Sequence, residues 1–466
     1  MKTIQLINYF RGTVKANIAS VHNFQPSGGE YLIFNPDYSW EFLSSDQIAQ
    51  KTLRALRNHI AHLKNASPWY KNKLVDIDPL SVKSMDDFSC IPCTDRETVS
   101  SFMDSFVAVS PDEIVESTMS HNYSEPAVFH YTKNDLDRIA YSLALSFNGC
   151  SVGGKDVVQI FQSLNSLYSA GMAIYRGLSL LGCNVARSAQ IMAQQQKRLM
   201  NILSPDVITG DLSMLKAIGT EINKSGDLFS TVKKIICTGE SIRNPDMSYN
   251  AGALEVERLW GAELFSLYYS PESSVSFCEC TSRNGAHCIP ELVYAEVVDE
   301  QGRPVPHGTA GELVTTPLGV EGVPLLRFRT GDITFIDEKA CSCGRNSLRI
   351  GPILGRKSHR INVGGSCIYP LSVTGALDSV EEVDDYVILI EPESSRNDRV
   401  SIHVAAPATV LEKIAHSIKA ASGVYFPVLI SNTNTIRHFR NQYKKNAKVI
   451  DLRKSALKSV ASRSMS

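Results

Sequence analysis

VVQIF (157–161), DVITG (206–210), KKIICTG (233–239) and AELFSLYY (262–269) are the segments whose reading decides the fold. Each is a short apolar run rich in β-branched or aromatic residues, the size and composition of a buried strand. Helix-like segments separate them; the first runs through Tyr175 and Leu180. Strand–helix alternation of this kind predicts an α/β fold built on a parallel sheet. Toward the N-terminus, QIAQKTLRALRNHIAHLKNAS (from Gln47) sets Ile48, Leu53, Leu56, Ile60 and Leu63 at helical spacing before Ser67-Pro68 breaks the pattern. The first hundred residues therefore read as mostly helical. Toward the C-terminus, ELVYAEVVDEQGRPVPHGTAGELVTTP (291–317) is strand, Gly-containing turn, strand, which predicts a β-hairpin-rich subdomain. A break falls at GPILGRKSHR (351–360), and beyond it DDYVILIEPE and VSIHVAAP read as strands of a small α+β domain. The closing RKSALKSVASRSMS is Ser-rich and basic and reads as a frayed tail.

Composition narrows the function classes. A chain of 466 residues suggests two or three domains. With 43% hydrophobic and 20% charged residues it has the balance of a soluble globular protein. Lys plus Arg number 47 against 48 Asp plus Glu, a net charge of −1, which argues against nucleic-acid binding through bulk charge. The most apolar long stretch, Val157 to Val185, is interrupted by Gln162, Asn165 and Arg176, so no membrane span and no membrane partner is expected. The N-terminal apolar run is too short for a signal peptide. Eleven cysteines, an odd and scattered set, point to a reducing compartment, hence a cytoplasmic location.

In such a compartment thiols are buried apolar groups or metal ligands. Cys341 and Cys343 form a C-x-C pair followed by Gly344, and Cys280 with His287 supplies a second pair across a Gly-containing loop. Four N/S ligands without a carboxylate suit tetrahedral Zn²⁺, and a closed set of four is structural because no position is left for water. A zinc hydrolase would need an open position. By spacing alone Cys278 and Cys288 compete for the place given to Cys280.

Three further segments carry polar chemistry. RFRTGDITFID (from Arg327) places Asp332 in a Thr-Gly-Asp turn, where a carboxylate can accept hydrogen bonds from vicinal hydroxyls such as a ribose diol. YYSPESS (from Tyr268) places Glu272 at the end of an apolar run, a position suited to Mg²⁺, which prefers oxygen ligands. KKNAKVIDLR carries Lys444, Lys445 and Lys448 near the C-terminus. Each alone reads more readily as a solvated loop or charged face.

Their order along the chain resembles the phenylacetate–CoA ligase branch of the adenylate-forming enzymes. FNPDYSW, SPWYKNKL, IPCTDRETV, YTKNDLDRIAYSLALSFNGCSVGGKDVVQI, IICTGESI, WGAELFSLYYSPES, PLLRFRTGDI, CSCGR, RIGPILGR and AKVIDLR match in order, from about Asn35 to Arg453. The resemblance implies a large N-terminal α/β domain (1–354) with a β-rich subdomain and zinc site, and a hinge (355–358). A small mobile α+β C-terminal domain (359–453) and a tail (454–466) would follow. It implies adenylation of a carboxylate by MgATP, then transfer of the acyl group to CoA or to another thiol or amine acceptor. The zinc ligands fall on Cys280, His287, Cys341 and Cys343. Glu272 would hold Mg²⁺, Asp332 the ribose, and Arg356 the nucleotide. Gly239, Glu240, Ser241 and Tyr268 would border the adenine and acyl pocket, and Lys445 would bridge the carboxylate and the α-phosphate. The acid is expected to be aryl, with a medium apolar acid equally allowed by the pocket segments. A homodimer is left open.

The chain departs from the family pattern at its phosphate loop. Ser120-His121-Asn122-Tyr123-Ser124-Glu125-Pro126 stands where a Ser/Thr- and Gly-rich loop is usual, and both glycines are replaced. Glycine lets backbone N–H groups approach phosphate oxygens at little steric cost. Tyr269, Ser358 and Gly364 are further departures. They give a second reading, a catalytically impaired homologue that binds a ligand or partner.

Overall fold

Ser44 caps the first long helix, α1 (Ser45–Ala66), through a reciprocal capping box with Gln47. The apolar spacing expected of it is realised: Leu56, Ile60 and Leu63 are fully buried. The computed structural model describes residues 38–120, 127–164, 170–189, 193–223, 231–363, 366–393, 397–442 and 448–453. The chain divides into two compact units, residues 1–330 with 334–352, and residues 331–333 with 353–466.

In the first unit β1 (Glu116–Ser120) and β2 (Ala127–Tyr131) form an antiparallel ribbon. Next comes α2 (Lys133–Gly149), capped by Thr132 and Asp135 and buried on most of its faces. The α/β alternation follows as β3 (Val157–Ile160), α3 (Ala170–Leu180), β4 (Asn184–Arg187), α4 (Ala193–Leu203), β5 (Val207–Asp211), α5 (Leu212–Asn223), β6 (Lys234–Thr238), α6 (Ala251–Trp260) and β7 (Glu263–Ser270). All four expected strands are present, and β7, β6, β5 and β3 lie side by side and parallel, with β4 beyond β3. The sheet then turns antiparallel through β8 (Val275–Glu279) and the short β9 (Ala286–His287).

The hairpin region is also as expected. β10 (Val293–Val298) and β11 (Gly311–Pro317) pair antiparallel, Val293 opposite Pro317. β12 (Phe328–Thr334) lies beside β11, while β13 (Ile336–Asp337) and β14 (Arg349–Ile350) extend the large sheet next to β9. The second unit contains β15 (Gly355–Arg356), which pairs with the 332–333 end of β12, and the ribbon β16 (Ile361–Val363)–β17 (Ser366–Ile368). It continues as α7 (Pro370–Asp378), β18 (Asp385–Pro392), β19 (Asp398–Ala405), α8 (Leu411–Ser422), β20 (Val428–Ile430), α9 (Thr433–Gln442) and β21 (Val449–Asp451). Its sheet runs β20-β19-β18-β21.

Helix α2 organises the first core. Gly177 of α3 packs so closely that a Cβ there would stand 2.3 Å from Leu143 Cβ. On another side Ser142 and Ser146 both hydrogen-bond Ser276 of β8 at 2.9 Å. Arg138 is fully buried and donates to the carbonyls of Leu318, Ser274 and Leu292, joining the helix to the loops around the large sheet. A buried guanidinium is tolerated only with such partners.

Candidate active site and metal centre

The CSCGR turn bends because Gly344 takes φ 86° and donates its N–H to the Cys341 carbonyl at 3.0 Å. That turn presents Cys341 and Cys343 to the β8–β9 edge. There Cys280 follows β8, and His287 is held in register between Cys278 of β8 and Arg349 of β14. The ligand atoms of Cys280, His287, Cys341 and Cys343 all lie within 4.8 Å of one another. Cys280 Sγ is 3.6 Å from Cys341 Sγ, and Cys343 Sγ is 3.5 Å from His287 Nε2. His287 Nδ1 lies 3.0 Å from Ser347 Oγ, an outer partner that fixes the ring with Nε2 toward the thiols. Hydrogen bonding with Cys280 pulls both the Cys341 and the Cys343 thiols below their usual range. The rivals are placed elsewhere: Cys278 Sγ faces Cys150 Sγ at 3.3 Å, and Cys288 is a buried thiol outside the cluster. Arg345 ties the turn to the 38–42 segment through an ion pair with Glu41 at 3.1 Å.

At the end of β7 the chain turns through Pro271, and Glu272 points inward, 2% exposed. Its Oε1 accepts from Arg96 Nη1 at 2.8 Å and from Ser120 Oγ at 2.9 Å, and its Oε2 accepts from Ser270 Oγ at 2.9 Å. Burial would raise this carboxyl, but the Arg96 charge and the hydroxyl hydrogen bonds outweigh it and hold the group below its ordinary range. Arg96 is itself fixed by donating Nε to the Thr330 carbonyl at 2.7 Å. Glu272 and Ser120 are thus brought together by segments 152 positions apart.

Gly239 follows β6 with φ 74°, so the chain reverses at the strand's carboxyl end. Glu240 is exposed and accepts from Ser213 Oγ at 2.5 Å. Ser241 Oγ donates to the Arg243 carbonyl at 3.1 Å, and its own carbonyl accepts from Asn250 Nδ2 at 2.7 Å. Tyr268 is half-buried on β7, its ring 5.7 Å from that of Phe277. Asp332 and Arg356 stand opposite each other on β12 and β15, their Oδ1 and Nε 3.2 Å apart. His121, Asn122, Tyr123, Ser124, Gly364, Lys444 and Lys445 lie outside the described residues.

Two contributors were not singled out in the sequence. Arg96 lies inside IPCTDRETV, where nothing local distinguishes it from a solvated helix-start cation. Asp211 ends β5 and reads in sequence as a loop acid. Both acquire meaning only from neighbours distant in the chain.

No family model matches the chain. It is 27% identical over 388 residues to the phenylacetate-coenzyme A ligase of Thermus thermophilus, covering 81% of this chain and 85% of that one. It is 23% identical over 437 residues to the enzyme of the same name from Escherichia coli, covering 89% and 97%. Among solved structures it matches 2-hydroxyisobutyryl-CoA ligase in the postadenylation state with 2-HIB-AMP, at TM-score 0.78 and 21% identity over 95% and 96% of the two chains. An anthranilate CoA ligase in complex with anthranoyl-AMP matches at TM-score 0.54 and 14% identity over 72% and 68%. Relatives in sequence and neighbours in fold agree: the chain is similar over most of its length to phenylacetate-coenzyme A ligases and has the fold of 2-hydroxyisobutyryl-CoA ligase.

Proposed function

We propose that the protein is an ATP-dependent acid–thiol ligase. A carboxylate oxygen attacks the α-phosphorus of ATP and expels pyrophosphate. The CoA thiolate then attacks the acyl carbon of the adenylate, and AMP leaves. The observation that carries this reading is the relation to phenylacetate-coenzyme A ligases over more than four-fifths of the chain. The Glu272 cluster supports it, with an ionised carboxylate that accepts from Ser120 at the end of β1.

The residue roles follow from chemistry. Phosphoryl and adenylyl transfer need positioning and charge neutralisation more than covalent help from the protein. Glu272 accepts hydrogen bonds from three side chains among the described residues, and a carboxylate oxygen so held can still serve as an oxygen ligand for a hard cation. Mg²⁺ bound there would neutralise polyphosphate charge. Arg96 holds the Glu272 carboxylate ionised and aimed. Asp332, oriented by Arg356, accepts the ribose hydroxyls. Gly239, Glu240, Ser241 and Tyr268 border the adenine and acyl pocket, and Lys445 stabilises charge on the α-phosphate. The three thiols and one imidazole fit a closed structural Zn²⁺ site, with Ser347 as outer support for His287. A carrier-protein thiol or an amine would serve as acceptor by the same second step. Carboxylate-dependent ATP–pyrophosphate exchange over aryl, hydroxy, fatty and amino acids tests the reading. Exchange with one class is expected. Silence across the panel, with the fold intact and zinc bound, would instead favour an impaired homologue, for which the loss of both loop glycines is the supporting feature.

A further inference from the structure

The switch point of the parallel sheet lies between β3 and β5. The chain leaves β3 for β4 on one side and returns to β5 on the other. Ligands of open α/β sheets sit outside the carboxyl ends of strands at such a point. Those ends here are unusually polar. Gln162, just past β3, is buried, and its amide bridges the hydroxyls of Thr209 on β5 and Thr238 on β6 at 2.5 and 3.0 Å. Thr238 Oγ1 donates to Asp211 Oδ1 at 3.0 Å, the two residues standing opposite each other in the ladder. Asp211 Oδ1 also abuts the turn after β6, where a Cβ on Gly239 would be 3.0 Å away. Asp211 Oδ2 has no hydrogen-bond partner among the described residues, and the side chain is half-buried.

An apolar acyl tail against this wall would leave a half-desolvated carboxylate oxygen without a donor, an expensive arrangement. A ligand group carrying O–H or N–H would satisfy it. Resting on the ligase reading, we propose that Asp211 is a specificity residue of the acyl pocket, and that the acid substrate carries a hydrogen-bond donor, a hydroxyl or an ammonium group, that reaches Asp211 Oδ2. Gln162 and Thr238 act as positioning residues that hold this carboxylate on the crevice.

The test is exchange kinetics with matched acids, each hydroxy or amino acid beside the same skeleton without the donor. The donor-bearing acid is expected to show a kcat/KM about 10- to 100-fold higher, the size of one hydrogen bond to a charged group. Asp211→Ala should collapse that ratio toward one. Asp211→Asn distinguishes the sources: a hydroxyl partner keeps part of the preference because the amide oxygen still accepts, whereas an ammonium partner loses nearly all of it. Equal rates for matched pairs, or a ratio untouched in Asp211→Ala of unchanged thermal stability, overturns the proposal. If no acid supports exchange, the ligase reading fails separately. Calorimetric binding of the same pairs to the full chain then decides the inference, and no preference for the donor-bearing member sinks it.

Discussion

Glu272 is a carboxylate almost out of water, and the guanidinium against it repays the desolvation that burial imposes. Removing one partner of a buried pair leaves an uncompensated charge and costs about 3–5 kcal/mol. Arg96→Ala should therefore lower stability by about that amount in denaturant titrations, and Glu272→Gln by less, since the Arg96 guanidinium left behind is 17% exposed and still donates to the Thr330 carbonyl. Both should reduce exchange. An Arg96→Ala protein as stable as the parent would mean that Glu272 takes up a proton or another cation. A second buried group sets the acid limb. His59 is held neutral by burial, its pKa lowered from 6.5 to about 4, while Nε2 lies 3.0 Å from the Leu325 carbonyl and Nδ1 has no partner among the described residues. Because the folded value is depressed, the unfolded chain binds the proton first. This contribution is complete above pH 6.5 and is lost as pH falls toward 4, by about 3 kcal/mol. His59→Gln, which keeps a donor for Leu325, should flatten the stability–pH slope in that window. An unchanged slope would place the acid sensitivity on His62, which burial also lowers, or on carboxylates.

At the scale of elements, the most legible strands are those whose runs are buried on both faces, although β7 is read despite partly exposed positions. The burial of β5 and β6 is nearly continuous, so composition alone marks them. β4 was not anticipated because Asn184–Arg187 is short, partly exposed and at the sheet edge, where burial does not select apolar residues. The metal turn was legible for another reason: soft ligands at close spacing have few other uses. What spacing could not do was choose among Cys278, Cys280 and Cys288. That choice is made by the β8–β9 register, which leaves Cys278 facing Cys150. The short elements β9 and β14 are two residues each, so a metal held by the ligand set would supply much of their folding energy. Cys341→Ser should lose zinc on elemental analysis and lower the melting temperature, and chelation of the parent protein should do the same. Zinc retained at one equivalent in Cys341→Ser would remove Cys341 from the ligand set.

Over the whole molecule, residues assigned to one reaction come from widely separated parts of the chain: Arg96, Ser120, Glu272, Asp332 and Lys445. Motif order proposes several of these, because a family pattern preserves order. Arg96 and Asp211 were not readable, since each is a lone charge whose partners lie on other strands and loops. In the proposed reaction Lys445 would act electrostatically, at an oxygen that gains charge as the acid attacks phosphorus. Lys445→Ala should therefore lose pyrophosphate exchange by orders of magnitude while ATP still binds, because ground-state affinity comes from ribose and base contacts elsewhere. It should still form thioester from a supplied acyl-adenylate and CoA, because in that step the thiolate attacks the acyl carbon, not phosphorus, and AMP departs with the bonding pair as a stable leaving group. Loss of both half-reactions with the melting temperature unchanged would show a binding role instead. Exchange at the parent rate would move the assignment to Lys444 or Lys448.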